Sequence, residues 1–299
     1  MTGPRHDRAP SQTLDPQASA LGRLPPGPEA ATGAAPAPGA LEAHLRARRA
    51  AGRKLLVVYV TGGMDAQWLD VVHAVVEAGA DAVEVGVPFS DPMIDGPVIQ
   101  RASLAALARG TTPAGLLDEL RQAEVGVPVA VMTYYNIVFR AGERRFAASL
   151  ADAKVAAAIV PDLPLEEAGP WCAEADAAGV ETVLLVAPTT PEERARRICA
   201  RSRGFVYGVG TMGVTGERAA LAASARQVAR RVRGLTDLPV CIGIGVSTAA
   251  QAVEACTEAD GVVVGSALVR RLLDGEGPSG AASFVGELRA GLDTGTTSA

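Results

Sequence analysis

From Leu55 onward, short apolar runs alternate with longer amphipathic stretches. Eight runs read as strands: LLVVYVT (55–61), AVEVGV (82–87), VAVMTY (129–134), AAAIVPD (156–162), TVLLVA (182–187), GFVYGV (204–209), VCIGIG (240–245) and GVVVG (261–265). The stretches between them, such as WLDVVHAVVEAG and PEERARRICARSR, carry apolar side chains at spacings of three and four, the helical period. Nearly continuous apolar strands imply cover on both faces, the mark of a parallel sheet. Eight βα units in one domain predict a TIM (β/α)8 barrel of the α/β class. A doubly wound open sheet is the competing arrangement, but no GxGxxG follows the first strand.

Outside the repeat the texture changes. Residues 1–39 are rich in Pro, Ala and Gly, with too few large apolar groups to offset ordering entropy, and read as a disordered tail. The barrel is expected over 40–292, with FVGELRAGLD as its closing helix and 293–299 as a frayed tail.

Composition narrows the functional classes. The 299 residues carry a formal charge of −5 without a long block of one sign, which gives no support for nucleic-acid or membrane-surface binding. The short basic cluster RARRAAGRK (46–54) reads as the solvated face of one helix. Cys172, Cys199, Cys241 and Cys256 lie far apart without CxxC spacing, as expected of reduced thiols in a cytoplasmic protein. Three scattered histidines suggest no metal site. No apolar run approaches the ~20 residues of a membrane span, and the first residues lack the apolar core of a secretory signal.

Chemistry in this fold gathers at the carboxyl ends of the strands. In VEVGVPFSDPMIDGPVIQ (83–100), Glu84 interrupts an apolar strand and Asp95 follows in the loop. A carboxylate among aliphatic side chains has its proton affinity raised, which suits acid–base work near neutral pH; one in a wetter loop stays ionised. The bland readings are an internal ion pair for Glu84 and a turn-forming Asp before Gly for Asp95. The strands offer no obvious cation to Glu84, and Asp91, before Pro92, reads as structural. Glycine-rich turns follow the last three strands: MGVTGER (212–218), GIGVST (243–248) and the GSALV run from Gly265. Such loops, with a helix starting at Ser266, make a common phosphate site in this fold. Lys54 and Lys154 stand at strand starts, the wrong end for an imine. The residues therefore suggest a phosphate-anchored substrate facing two carboxylates, in metal-independent lyase or isomerase chemistry.

These motifs, together with MTYYNIVFRAG, IVPDLPLEE, LVAPTTPEER and ADGVVVGSALV, occur in the order found in the tryptophan synthase α subunit, and the chain resembles that family from about Leu55 to its last helix. The resemblance implies retro-aldol cleavage of indole-3-glycerol phosphate to indole and glyceraldehyde 3-phosphate, without a cofactor of its own. It implies Glu84 as acid and base, and Asp95 as the partner of the indole N–H. Tyr59, Tyr207 and Thr215 would contact substrate; Gly216, Gly245, Gly265 and Ser266 would hold its phosphate. It also implies a pyridoxal-phosphate β subunit as partner in an α2β2 assembly. Departures from the family pattern are Val58 for Pro, Ile94 for Ala, Ile244 for Phe, Ala156 for Asp, and Thr211 in the loop after strand six. Two alternatives stay open: a stand-alone lyase that releases indole, and a catalytically quiet binding partner.

Overall fold

The structure, a computed structural model, describes residues 37–210 and 218–296. The expected tail over residues 1–36 and the candidate residues Thr211, Thr215 and Gly216 lie outside the described residues. The strands are β1 (Leu55–Thr61), β2 (Ala82–Gly86), β3 (Val129–Met132), β4 (Ala157–Ile159), β5 (Glu181–Val186), β6 (Val206–Val209), β7 (Val240–Gly243) and β8 (Gly261–Val264). Helix α1 (Ala40–Ala50) precedes β1, α2 (Trp68–Glu77) follows it, and α3 (Pro97–Ala108) and α4 (Pro113–Gln122) follow β2. After β3 come α5 (Tyr135–Ala141) and α6 (Glu143–Asp152). Single helices α7 (Gly169–Ala177), α8 (Glu192–Arg201), α9 (Arg218–Arg233) and α10 (Ala249–Ala255) follow β4 to β7. The last two, α11 (Ser266–Leu273) and α12 (Gly277–Thr296), follow β8.

All strands are parallel, each pairs with the next, and β8 pairs with β1, which closes the expected (β/α)8 barrel. Strand alternation divides the core into two layers. Leu55, Val57, Ala82, Ala130, Ile159, Phe205 and Val263 point inward, while Val58, Val83, Val131, Val206 and Val264 face the helices. The inward set includes Leu41 and Leu45 of α1, so that helix plugs the amino-terminal end of the barrel. Glu181 fixes the plug: its carboxylate accepts from the Leu41 and Glu42 amides at 2.7 and 3.1 Å.

Three expectations need correction. The basic cluster is not a solvated face. Arg49 donates to Asp260 at 3.1 Å and Arg53 to Asp81 at 2.8 Å, and both aspartates are buried at strand starts. Asp81 also accepts from the Leu56 amide and pairs with Arg289 of α12. The carboxyl end is not frayed from 293: α12 continues to Thr296, carried on by the Arg289–Asp293 pair at 2.6 Å and the Thr294 hydroxyl bond to Ala290. Several strands also end earlier than their apolar runs. Beyond Met132, Ile159 and Gly243 the chain turns into loops, and Gly245, two residues past β7, has φ +69, a left-handed turn that glycine adopts without strain. No helix among the described residues is long and apolar enough to cross a membrane.

Candidate active site

The carboxyl ends of the strands open into a cavity of about 720 Å³. Tyr59, Glu84, Asp95, Tyr207, Gly245, Gly265 and Ser266, each singled out in the sequence, line it together. Of the departures from the family pattern among the described residues, Ile94 lines it too. Val58 and Ile244 instead belong to the helix-facing core, and Ala156, before β4, packs on the inner cluster. These three therefore do not crowd the site.

Glu84 is 1% exposed, lies in register between Tyr59 of β1 and Ala130 of β3, and projects into the barrel. No described residue forms an ion pair with it, and its Oε2 has no hydrogen-bond partner among them. The ion-pair reading of Glu84 finds no support there. Burial, helped by the negative charge of Asp95, pushes its carboxyl up to about 8. At neutral pH the group is therefore mostly protonated and able to give a proton.

Asp95 sits in the loop after β2, immediately before Gly96, the N-cap of α3. Burial raises its carboxyl, and a hydrogen bond from the Tyr134 hydroxyl pulls it back down. The same hydroxyl accepts from the Ile94 amide at 3.2 Å, while Gln100 donates to the Asp95 carbonyl at 2.8 Å. The Tyr134 ring stacks on Phe89 at 4.9 Å. The loop is thus held from both sides and directs one carboxylate at the cavity. Asp91 is exposed and accepts from the Ser90 hydroxyl, a local turn contact.

Tyr134 escaped sequence reading because a tyrosine at a strand end resembles ordinary core. Asp162 also escaped it, although a carboxylate after β4 meets the positional rule for this fold. It lines the cavity, but both its oxygens accept from the Tyr135 amide, at 2.9 and 3.1 Å, so it caps α5.

Gly265 is the N-cap of α11, and Gly243, Gly245, Gly265 and Ser266 bring backbone with little side-chain cover to the cavity wall. The free amides and dipole at the start of α11 favour an anion. The phenols of Tyr59 and Tyr207 rise well above their ordinary range through burial and keep their protons. No cluster of three or more His, Cys, Asp or Glu suited to a metal ion occurs among the described residues. All four cysteines are free and buried.

Residues 45–287 match the family model described as tryptophan synthase alpha chain. The Streptomyces coelicolor tryptophan synthase alpha chain is 47% identical over 251 residues, 81% of this chain and 90% of that one. The Thermobifida fusca alpha chain is 45% identical over 84% of this chain and 97% of its own length. Among solved structures, tryptophan synthase from M. tuberculosis in its open form with BRD0059 bound superposes with a TM-score of 0.78. The two are 38% identical over 85% of this chain and 99% of that one.

Proposed function

The chain belongs to the tryptophan synthase alpha chain family, and from that membership we propose that Glu84 and Asp95 carry out its lyase reaction. Indole-3-glycerol phosphate is cleaved to indole and glyceraldehyde 3-phosphate. Protonated Glu84 gives its proton to the ring carbon that bears the glycerol chain, and positive charge spreads to the ring nitrogen. Asp95 accepts the indole N–H hydrogen bond and stabilises that charge. The carbon–carbon bond then breaks. Its electron pair restores the aromatic ring, while the neighbouring hydroxyl becomes the aldehyde and returns its proton to Glu84. Glu84 ends as it began, ready for the next turnover. Gly245, Gly265 and Ser266 hold the phosphate through backbone amides and the start of α11; the family resemblance assigns Gly216 to the same anchor and Thr215 to substrate contact.

The observation that carries this assignment is a buried carboxyl that no described residue neutralises as an ion pair, raised to about 8 on the wall of the same cavity as the start of α11. Indole release by the purified chain tests it. Glu84→Gln should abolish release, and Asp95→Asn should lower it by about 10²–10³-fold, with the circular dichroism of both unchanged. Near-normal release from the Glu84 variant overturns the assignment.

We further infer a pyridoxal-phosphate β subunit as the acceptor of indole. The support is two exposed apolar side chains: Met93 of the loop that carries Asp95, 85% exposed, and Phe139 of α5, 67% exposed. Phe139 connects to that loop through its ring contact with Tyr135 and the neighbouring Tyr134–Ile94 hydrogen bond.

A further inference from the structure

Tyr59 and Glu84 are register partners on β1 and β2, and the row above them, nearer the mouth, holds Thr61 and Gly86. The Tyr59 ring rises into that row, where its hydroxyl fills the space over Gly86: a Cβ on Gly86 would collide with it. At its other end, the Tyr59 Cβ lies 3.1 Å from where a Cβ on Gly265 would stand, beside the start of α11. One side chain therefore spans from the proposed phosphate anchor to the mouth side of the acid. Its hydroxyl is already oriented. The Thr61 Oγ1 donates to the phenol oxygen at 3.3 Å, and no described residue accepts the phenol's own proton. Burial, with the nearby charges of Asp95 and Glu84, holds that proton in place.

A donor held over Glu84 needs an acceptor on the substrate. The indole nitrogen is itself a donor, and the phosphate is claimed by backbone amides. What remains between them is the glycerol segment. The geometry points to Tyr59 as a substrate-orienting residue whose hydroxyl donates a hydrogen bond to the glycerol oxygen that loses its proton to Glu84. This rests on the lyase assignment above. As that proton leaves, the oxygen gains alkoxide character, so the bond from Tyr59 is stronger in the transition state than in the bound substrate. Tyr59 keeps its proton throughout and forms no covalent bond.

Tyr59→Phe removes the donor and keeps the ring. In the full-length chain, kcat for indole release should fall about 10–100-fold while KM moves less than about threefold. The pH at which activity turns over should not change, since the bond is made to substrate rather than to Glu84. Thr61→Val frees the phenol to rotate; it should give a smaller kcat loss in the same direction and add nothing on top of Tyr59→Phe. An unchanged kcat in a folded Tyr59→Phe chain, or a loss confined to KM, overturns the proposal. Should Tyr59→Phe fail to fold, an unchanged kcat in Thr61→Val overturns it instead. Glu84→Gln measured in parallel separates the two layers of inference. If it is inactive while Tyr59→Phe is unimpaired, Tyr59 alone is misassigned; if it stays active, the lyase assignment of the site falls.

Discussion

An acid held inside the barrel between its register partners Tyr59 and Ala130 lowers stability in a pH-dependent way. The Glu84 carboxyl titrates near 8 in the folded chain against an ordinary value of 4.5. Below the lower value both states hold the proton and nothing is lost. Between the two, the unfolded chain ionises while the folded one does not, so stability falls as pH rises and levels off above the upper value. The total is on the order of a few kcal/mol. Glu84→Gln removes the ionisation, so the variant should be the more stable chain at about pH 9 and show a flatter pH dependence than the parent from about pH 5 upward. Urea midpoints across that range measure this; equal slopes in the two proteins would count against the raised carboxyl. Glu84 could be read from sequence because a charge inside VEVGV contradicts its surroundings. Tyr134 could not: its hydroxyl contacts, to Ile94 and Asp95, come from a loop some forty residues away.

Elements divide by which end of the barrel they serve. Their strands were legible because covered parallel strands are apolar runs. The role of α1 was not legible. Its arginines look like a solvated stripe, since their partners Asp81 and Asp260 sit at the starts of β2 and β8, distant in sequence. Glu181 is equally plain in GVETV, yet it is the N-terminal anchor of the plug helix, and a Cβ on Gly39 would strike it. Glu181→Ala leaves the Leu41 and Glu42 amides buried without acceptors, and should cost about 1–3 kcal/mol in urea unfolding. Indole release at saturating substrate should be unchanged, because the plug lies at the end of the barrel away from the cavity. A loss of activity without a loss of stability would contradict that separation.

At the scale of the molecule, closure by the β8–β1 pairing leaves the barrel without a free sheet edge, and its two ends take different tasks. Buried ion pairs and the α1 plug hold one end; the other carries loops, a cavity and exposed apolar side chains. An alternating pattern can indicate which strands pair but not which surface side chains remain uncovered, so the exposure of Met93 and Phe139 became visible only in three dimensions. Phe139 does not line the cavity, whereas its neighbours Tyr134 and Tyr135 tie α5 to the Asp95 loop and to Asp162. Phe139→Asp should therefore leave unassisted indole release by the isolated chain within about twofold, while weakening association with a β subunit by about 10–1000-fold. Titrating a β subunit into the parent and the variant, with indole release and sedimentation as readouts, separates the cases. Equal association by both proteins would move the docking surface elsewhere. Loss of unassisted activity in Phe139→Asp would mean that α5 supports the catalytic loop directly rather than through a partner.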